Sequence, residues 1–389
     1  MISLALAGKP NCGKSTFFRA ATMAPAEIAN YPFTTIDANK GVAFVRSTCA
    51  CRALGVKCTS CQEGIRYTPV GLIDVAGLVP DAHKGRGLGN QFLDHLRQAD
   101  AIIHVIDASG GTDSEGNPVD PGTHDPLVDI DFVTREMTMW VHGILEKHWA
   151  KITRQAQAKS YSIHHGIAEV FTGLGVTPEA ARDAERICGI DLLHASADDL
   201  IRFCGTLIRA AKPMFPVGNR VDLAPKDIPG KLKGAVHLFS TAAGELALRN
   251  ATNGKVIAYR PGDPTFSIFN EGSLSPAQSA GLMKIRAVMD TYGGTGVQQA
   301  INHAVFSLLD RIVVYPVEDE THYTNKDGTV LPDAFLVRRG ATPHDLAFLV
   351  HSDIGKGFLY AIDAKTKMRV KESHLLQDGD VIKIVTTAK

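Results

Sequence analysis

Gly8-Lys9-Pro10-Asn11-Cys12-Gly13-Lys14-Ser15 matches the pattern G-x-x-x-x-G-K-[ST] at every fixed position. Ahead of it, Ile2 to Ala7 is a short apolar run of strand character. Behind it, Thr16 to Met23 reads as a helix. Phosphate binding requires that order. Gly8 and Gly13 let the backbone turn tightly and aim successive N–H groups at phosphate oxygens. Lys14 supplies a cation for β- and γ-phosphates, and Ser15 a hydroxyl for Mg²⁺. The helix N-terminus, starting with Thr16, adds partial positive charge. The bland alternative is a turn that only joins a strand to a helix.

A phosphate loop alone does not choose between ATP and GTP, so the remaining parts are sought downstream. Val70 to Ile73 is a strand-like run ending in Asp74-Val75-Ala76-Gly77. This D-x-x-G puts a carboxylate at a strand end, where Asp74 can hold Mg²⁺ through water and Gly77 can offer an N–H to the γ-phosphate. Ala101 to Asp107 is a further buried strand. Met214 to Gly218 leads into Asn219-Arg220-Val221-Asp222, similar to the guanine-reading N-K-x-D with Arg for Lys. Asp222 can accept from guanine's ring N–H and exocyclic amine, a pairing adenine cannot return. Asn219 would tie its loop to the phosphate loop, and Arg220 would lie along the base. The alternative for N-R-V-D is a helix-capping Asp. Val236 to Phe239 forms the last strand, and Thr241, Ala242 and Ala243 follow as a small-residue loop supporting the base through backbone N–H groups. Between the phosphate loop and Asp74 lies Asn30-Tyr31-Pro32-Phe33-Thr34-Thr35, where a Thr would close over Mg²⁺ and the γ-phosphate. Thr35 is favoured, with Thr34 as the alternative.

The totals fit a globular protein of two or three domains. The chain has 389 residues, 44% hydrophobic and 21% charged, with 41 basic and 41 acidic side chains. Zero formal net charge argues against holding nucleic acid mainly by bulk charge. No apolar run reaches the length of a membrane span, and the chain enters its first strand without room for a signal peptide, so a cytoplasmic place is expected. Seven cysteines spread over such a length do not resemble a secreted disulfide framework.

The run G-x-P-N-x-G-K-S, then N-Y-P-F-T-T, then the long segment D-V-A-G-L-V-P-D-A-H-K-G-R-G-L-G-N-Q-F-L from Asp74 to Leu93 resembles the Obg-related GTPases, and among them the YchF-like branch in its archaeal-type form. The resemblance implies a Ras-like G domain, Mg²⁺-dependent nucleotide hydrolysis, and association with ribosomes, rRNA or tRNA-bound translation factors. The resemblance implies that bacterial and eukaryotic YchF members lack a good N-K-x-D and tend to prefer ATP; here Asn219 and Asp222 are present. Ras-like proteins orient the attacking water with a Gln just after the D-x-x-G glycine, where this chain has Leu78. Turnover is therefore expected to be slow unless His83, a monovalent cation or a partner compensates. Asn11 stands where potassium-activated relatives help coordinate K⁺. With Lys14, Thr35 and Gly77 it completes the expected catalytic set. The bland reading of His83 is a solvated residue of a glycine-rich segment.

Cys49, Cys51, Cys58 and Cys61, spaced C-x-C-x₆-C-x₂-C, lie in a hairpin-like insert. Four thiolates can close a Zn²⁺ site; free thiols are the default. Cys12, Cys188 and Cys204 read as small apolar fillers. The Asp-rich stretch 113–131 suits turns and a cap better than Ca²⁺. Beyond Ile312 the pattern alternates short strands with a helix opened by Thr342-Pro343-His344-Asp345. It resembles the TGS domain, a β-grasp fold implicated in RNA or ribosome contact. Ten Lys/Arg against eleven Asp/Glu in this stretch give no bulk attraction to RNA. Local basic runs are Arg338-Arg339 and the alternating Lys365, Lys367, Arg369 and Lys371, read as sharing one strand face.

The expected architecture is α/β: a Ras-like G domain with a mostly parallel sheet (1–131 and 213–311), a helical insertion (132–212) and a C-terminal β-grasp domain (312–389). The expected function is a Mg²⁺-dependent GTPase acting as a GTP/GDP switch. The alternatives are an ATPase of the YchF type and a ribosome- or RNA-binding protein with little hydrolysis.

Overall fold

A computed structural model describes residues 1–23, 39–81, 83, 95–158, 161–270, 272 and 274–387. The chain order opens with β1 (Ser3–Ala7), α1 (Lys14–Thr22), β2 (Lys40–Thr48), α2 (Cys51–Leu54), β3 (Ile65–Asp74) and β4 (Ala101–Asp107). Four helices follow: α3 (Leu127–Gln157), α4 (Ile163–Val170), α5 (Pro178–Cys188) and α6 (Ala197–Ala211). Next come β5 (Met214–Asn219), α7 (Ile228–Leu232), β6 (Leu238–Phe239), α8 (Ala242–Asn253), β7 (Ile257–Ala258), β8 (Ser267–Ile268), α9 (Pro276–Tyr292) and α10 (Val297–Asn302). The last elements are β9 (Arg311–Val317), β10 (Phe335–Arg338), α11 (Pro343–Val350), α12 (Ser352–Lys356), β11 (Phe358–Asp363), β12 (Met368–Val370) and β13 (Val381–Thr386).

Two compact units divide the chain: residues 1–43 with 71–300, and 44–70 with 301–389. Strands β2 and β3 contribute residues to both. The cysteine hairpin, which the sequence reading placed in the G domain, therefore clusters with the C-terminal residues. So does the stretch just after α10, a π-helical turn over His303–Leu308.

In the first unit a six-stranded sheet runs β2-β3-β1-β4-β5-β6. β1 is parallel to both β3 and β4, β4 to β5, and β5 to β6. A parallel strand with neighbours on both sides and helices on both faces must be apolar throughout. Leu4, Ala5, Leu6 and Ala7 of β1 and every residue of β4 are buried accordingly. The register sets Leu6 beside Asp74 and Asp107 beside Asn219, so the carboxyl ends of these strands stop level with one another. Ligands of open α/β sheets bind at such ends, where strand order reverses. Here the reversal is at β1, between β3 and β4.

The helical insertion has no separate core. In α3, Phe132, Val133, Met137, Val141 and Leu145 recur at helical spacing and pack with Ala5, Ile73 and Ile102 of the sheet and Phe203 and Leu207 of α6. α6 starts with a reciprocal cap between Ser196 and Asp199.

The second unit carries a five-stranded sheet in the order β10-β9-β13-β11-β12, with β9 and β13 parallel and the other pairs antiparallel. Period-2 alternation gives β9 two apolar faces. Ile312 and Val314 pack with Leu346 of α11, whereas Val313, Tyr315 and Val317 pack with Cys49, Ala50 and Cys51. α11 opens as expected, with Thr342 and Asp345 forming the cap box around Pro343. The alternating basic run does not share a strand face. β12 spans only Met368–Val370, and Lys367 sits at φ +62° in the preceding turn. Lys365 lies 3.8 Å from Asp380, Lys367 over the Tyr323 ring, Arg369 over the Tyr360 ring, and Arg339 bonds Asp310 at 2.8 Å.

His104 in β4 is buried, and burial pushes its imidazole down to about 3. The unfolded chain binds this proton near the ordinary value and the folded chain does not. Stability from this group is thus complete above about pH 6.5 and is lost as pH falls toward 3, by up to about 1.4 kcal/mol per pH unit. Chemical denaturation at pH 7 and pH 5 should show a smaller pH-dependent loss in His104→Gln than in the native chain; an equal loss refutes the assignment.

Candidate functional site

Five strand-end segments converge in the first unit. After β1, the loop Gly8–Ser15 wraps into α1. Gly8 has φ +149° and Gly13 φ +98°, values closed to most side chains. A Cβ on Gly13 would also sit 2.3 Å from Asn219 Nδ2, so glycine is required there twice over. Gly13 precedes α1 without a side-chain cap, and the first turn of α1 holds no acidic residue. The helix's first N–H groups are left for an anion. Lys14 Nζ lies inside the loop, bonded to the carbonyls of Gly8 (3.1 Å) and Lys9 (2.7 Å).

Asn219, at the end of β5, is the knot of the site. Its Nδ2 donates to the Cys12 carbonyl at 3.1 Å, and its Oδ1 accepts from Ser240 Oγ and the Ala242 N–H, each at 3.1 Å. One buried amide therefore fixes the phosphate loop to the segment after β6. Thr241 and Ala242 are buried while Ala243 is exposed. Thr241 caps α8 through Gly244 N–H, and its own N–H bonds the Thr295 carbonyl at 2.8 Å. Arg220 adopts φ +62°, and its Nη1 pairs with buried Asp107 at 3.0 Å rather than standing free. Asp222 is exposed in a short 3₁₀ turn, Val221–Leu223.

Asp74, at the end of β3, shows what a metal would meet. Its Oδ1 is buried and has no hydrogen-bond partner among the described residues. Burial raises its carboxyl above the usual range, while the Ser15 hydroxyl, Lys14 and Arg19 pull it down. A buried, unpaired carboxylate oxygen beside a hydroxyl is a donor set suited to Mg²⁺. Gly77 stands against the phosphate loop; a Cβ there would come within 2.8 Å of Pro10. Leu78 is 3% exposed in the sheet's core, and its N–H bonds the Gly8 carbonyl at 3.1 Å. It cannot orient a water. Thr34 and Thr35 lie outside the described residues.

His83 differs from the solvated reading. Its Nδ1 lies 2.6 Å from Glu136 Oε2, and the N–H groups of Asp81 and His83 donate to the two oxygens of the same carboxylate at 3.1 Å each. Glu136 is 4% exposed on α3. The insertion helix thus holds the start of the segment after D-x-x-G. The Asn11 side chain donates to the Gly116 carbonyl at 3.0 Å, which directs its NH₂, and not its carbonyl oxygen, toward that loop.

Several supporting residues escape sequence reading. Asp107 accepts from Ser109, Thr112 and Arg220. Lys9 Nζ is ion-paired with Asp129 at 2.8 Å, and His124 meets the same carboxylate at 3.0 Å. Other members of the Asp-rich stretch serve turns: Asp113 accepts from Asn117 and Glu115, and Asp125 from the Leu127 N–H. Glu245 accepts from Arg249, Tyr259 and Thr295, bracing the base-side loop from below. Asp107 carried a signal, as a carboxylate closing an apolar strand, and Asp129 lay in the Asp-rich stretch read as turns and a cap.

Comparison with known proteins agrees with this geometry. Residues 3–134 match the family model described as 50S ribosome-binding GTPase. Residues 217–319 match that of the Obg-like GTPase G4-motif-containing domain, and residues 320–386 the TGS domain. An uncharacterized GTP-binding protein of Methanocaldococcus jannaschii is 46% identical over the full length of both chains. This chain belongs to the YchF-like Obg-family GTPases. Within that family, the Bacillus subtilis ribosome-binding ATPase YchF is 38% identical, with 98% of each chain covered. The crystal structure of a GTP-binding protein from Pyrococcus horikoshii superposes with TM-score 0.77 at 37% identity, covering 99% of this chain and 100% of that one. The YchF GTPase of Schizosaccharomyces pombe, at 20% identity and TM-score 0.60, covering 99% and 97%, shares the fold. As a family member the chain is a GTP-binding P-loop protein of hydrolase type.

Asn219→Ala removes three hydrogen bonds and strands two loops. Nucleotide affinity should fall about 10- to 100-fold, measured by fluorescent-nucleotide titration; an unchanged affinity contradicts the knot. Glu136→Ala should raise hydrogen exchange at Asp81–His83 while α3 stays protected. Equal exchange in the native chain and the variant would dismiss the tether.

Proposed function

We propose that this YchF-like protein binds Mg²⁺-GTP, hydrolyses it slowly, and uses the GTP/GDP difference to control docking on the ribosome in the cytoplasm. The observation that carries the guanine reading is the Asn219 amide. It joins the phosphate loop to the loop after β6 and sets Asp222 three residues on, exposed, where a base edge can be read. The paired Arg220 leaves its aliphatic stem as the surface for the base, since its head is held by Asp107.

Ser15 and Asp74, with Thr35 from the segment before β2, would hold Mg²⁺, which when bound neutralises phosphate charge. The chain's own residues do the rest. The loop N–H groups and the uncapped start of α1 orient the β- and γ-phosphates. Lys14 exchanges its carbonyl partners for phosphate oxygens, and its charge offsets the negative charge that builds on the leaving group. The Gly77 N–H faces the γ-phosphate. Leu78, buried in the sheet's core, offers no group that aligns the attacking water, which makes intrinsic turnover slow. The side-chain carbonyl oxygen of Asn11 would be a ligand for K⁺, and such a cation would supply positive charge to offset the charge that builds on the phosphates.

Ribosome docking is supported by the description of the matching N-terminal family model and by the name of the Bacillus subtilis relative. The same name favours ATP as the second reading. The described residues contain no helix long and apolar enough to cross a membrane.

Co-sedimentation with ribosomes in GDP, a non-hydrolysable GTP analogue and the matching ATP analogue tests the reading. Pelleting should be strongest with the GTP analogue. Pelleting that ignores the nucleotide, or that follows the ATP analogue, overturns it. Phosphate release should be several-fold faster in K⁺ than in Na⁺ buffer; equal rates remove K⁺ from the mechanism.

A further inference from the structure

We propose that Cys49, Cys51, Cys58 and Cys61 form a closed tetrathiolate site that takes one Zn²⁺ and fastens their hairpin over the open face of the β-grasp sheet.

The four sulfurs all lie within 4.8 Å of one another, and Cys51 Sγ is 3.6 Å from Cys61 Sγ. Four thiolates about a zinc ion at about 2.3 Å stand about 3.8 Å apart along each edge. Four sulfurs this close leave room for a tetrahedral shell about one ion, and the 3.6 Å between Cys51 and Cys61 is far too long for a disulfide; all four cysteines are free. Sequence spacing left the choice between a Zn²⁺ site and free thiols open, because C-x-C is tighter than the usual first pair. The backbone resolves the difficulty. Cys49 follows the end of β2, with its N–H on the Gly64 carbonyl at 2.9 Å, and Cys51 opens the single-turn helix α2. The chain reverses at Gly55 (φ +66°) and returns Cys58 and Cys61 to the same point. Gly64 (φ +80°) has no room for a Cβ beneath the Arg52 side chain, which itself bonds the Glu63 carbonyl at 2.7 Å.

The hairpin is too small to hold four sulfurs together by its own apolar core. What it covers is specific. Cys49, Ala50 and Cys51 pack on Val313, Tyr315 and Val317, the face of β9 that α11 does not reach. Arg66 locks the base of the hairpin by donating to the carbonyls of Leu331 (3.0 Å) and Pro332 (2.7 Å). The Asn302 amide exchanges two bonds with the Arg46 backbone, at 2.9 and 3.0 Å. A metal at the tip would stabilise the closed hairpin directly, since a structural site of this kind couples binding to folding. The arrangement has no open position for a water or substrate, which makes the site structural.

Elemental analysis of the full chain, purified without added chelator, should find about one zinc per chain. Cobalt exchanged into the site should give the intense thiolate charge-transfer and visible bands of tetrahedral Co²⁺. Cys58→Ser should lose zinc and raise hydrogen exchange across residues 49–64 while nucleotide affinity stays unchanged. Should Cys58→Ser fail to fold, chelation of the native chain is the second measurement, and it should give the same local exchange. Metal-free native protein, four thiols titrating freely in the native fold, two disulfides, or iron in place of zinc would each overturn the proposal. Because the site is read by metal content and local exchange, its failure is distinct from any failure of GTP binding.

Discussion

The nucleotide site depends on one buried side-chain amide. Asn219 uses its NH₂ on the phosphate loop and its oxygen on two donors of the loop after β6. A buried amide left with unmet bonds costs about 1–3 kcal/mol for each polar group, so these loops are fixed together or not at all. Gly13 follows from the same constraint, because any Cβ there would enter the space of the Asn219 amide. So does the register of the central sheet, which delivers Asn219 level with Asp107 and lets that carboxylate hold Arg220.

A second layer of buried charge supports this knot. Glu245 stands under the base-side loop, engaged by Arg249 and two hydroxyls, and Asp129 under the phosphate loop, met by Lys9 and His124. Glu136 acts outward instead, gripping the chain just past Asp74-Val75-Ala76-Gly77. The insertion is thereby more than an appendage. Its first helix shares the sheet's core and also supplies a carboxylate that holds the start of the segment after D-x-x-G.

Motif and periodicity made much of this legible. The loop glycines, Asp74, Asn219 and the cap box at Thr342 all have local chemistry that dictates their residue types, and local chemistry is what a sequence displays. The helical insertion was legible because apolar residues recur there at three- and four-residue spacing, as Phe132, Val133 and Met137 do on the face that meets the core. Illegible were the partners that tertiary structure alone creates. His83 read as solvated because Glu136 lies 53 residues away in the chain. Lys365 to Lys371 read as one strand face because nothing local showed that β12 is only three residues long. The cysteine hairpin read as part of the G domain because its sequence neighbours are there. Its apolar partners, Val313 and Tyr315, lie far along the chain.

The central claim is that Asn219 and Asp222 together make a guanine-reading site. It is tested most directly by equilibrium titration of the full chain with GDP and ADP, and with GTP and ATP analogues, in Mg²⁺, alongside Asp222→Asn. The account predicts tighter binding of the guanine member of each pair, with most of that preference lost in Asp222→Asn while phosphate-dependent binding persists. Tighter binding of the adenine nucleotides by the native chain, or a guanine preference untouched by Asp222→Asn, would contradict it.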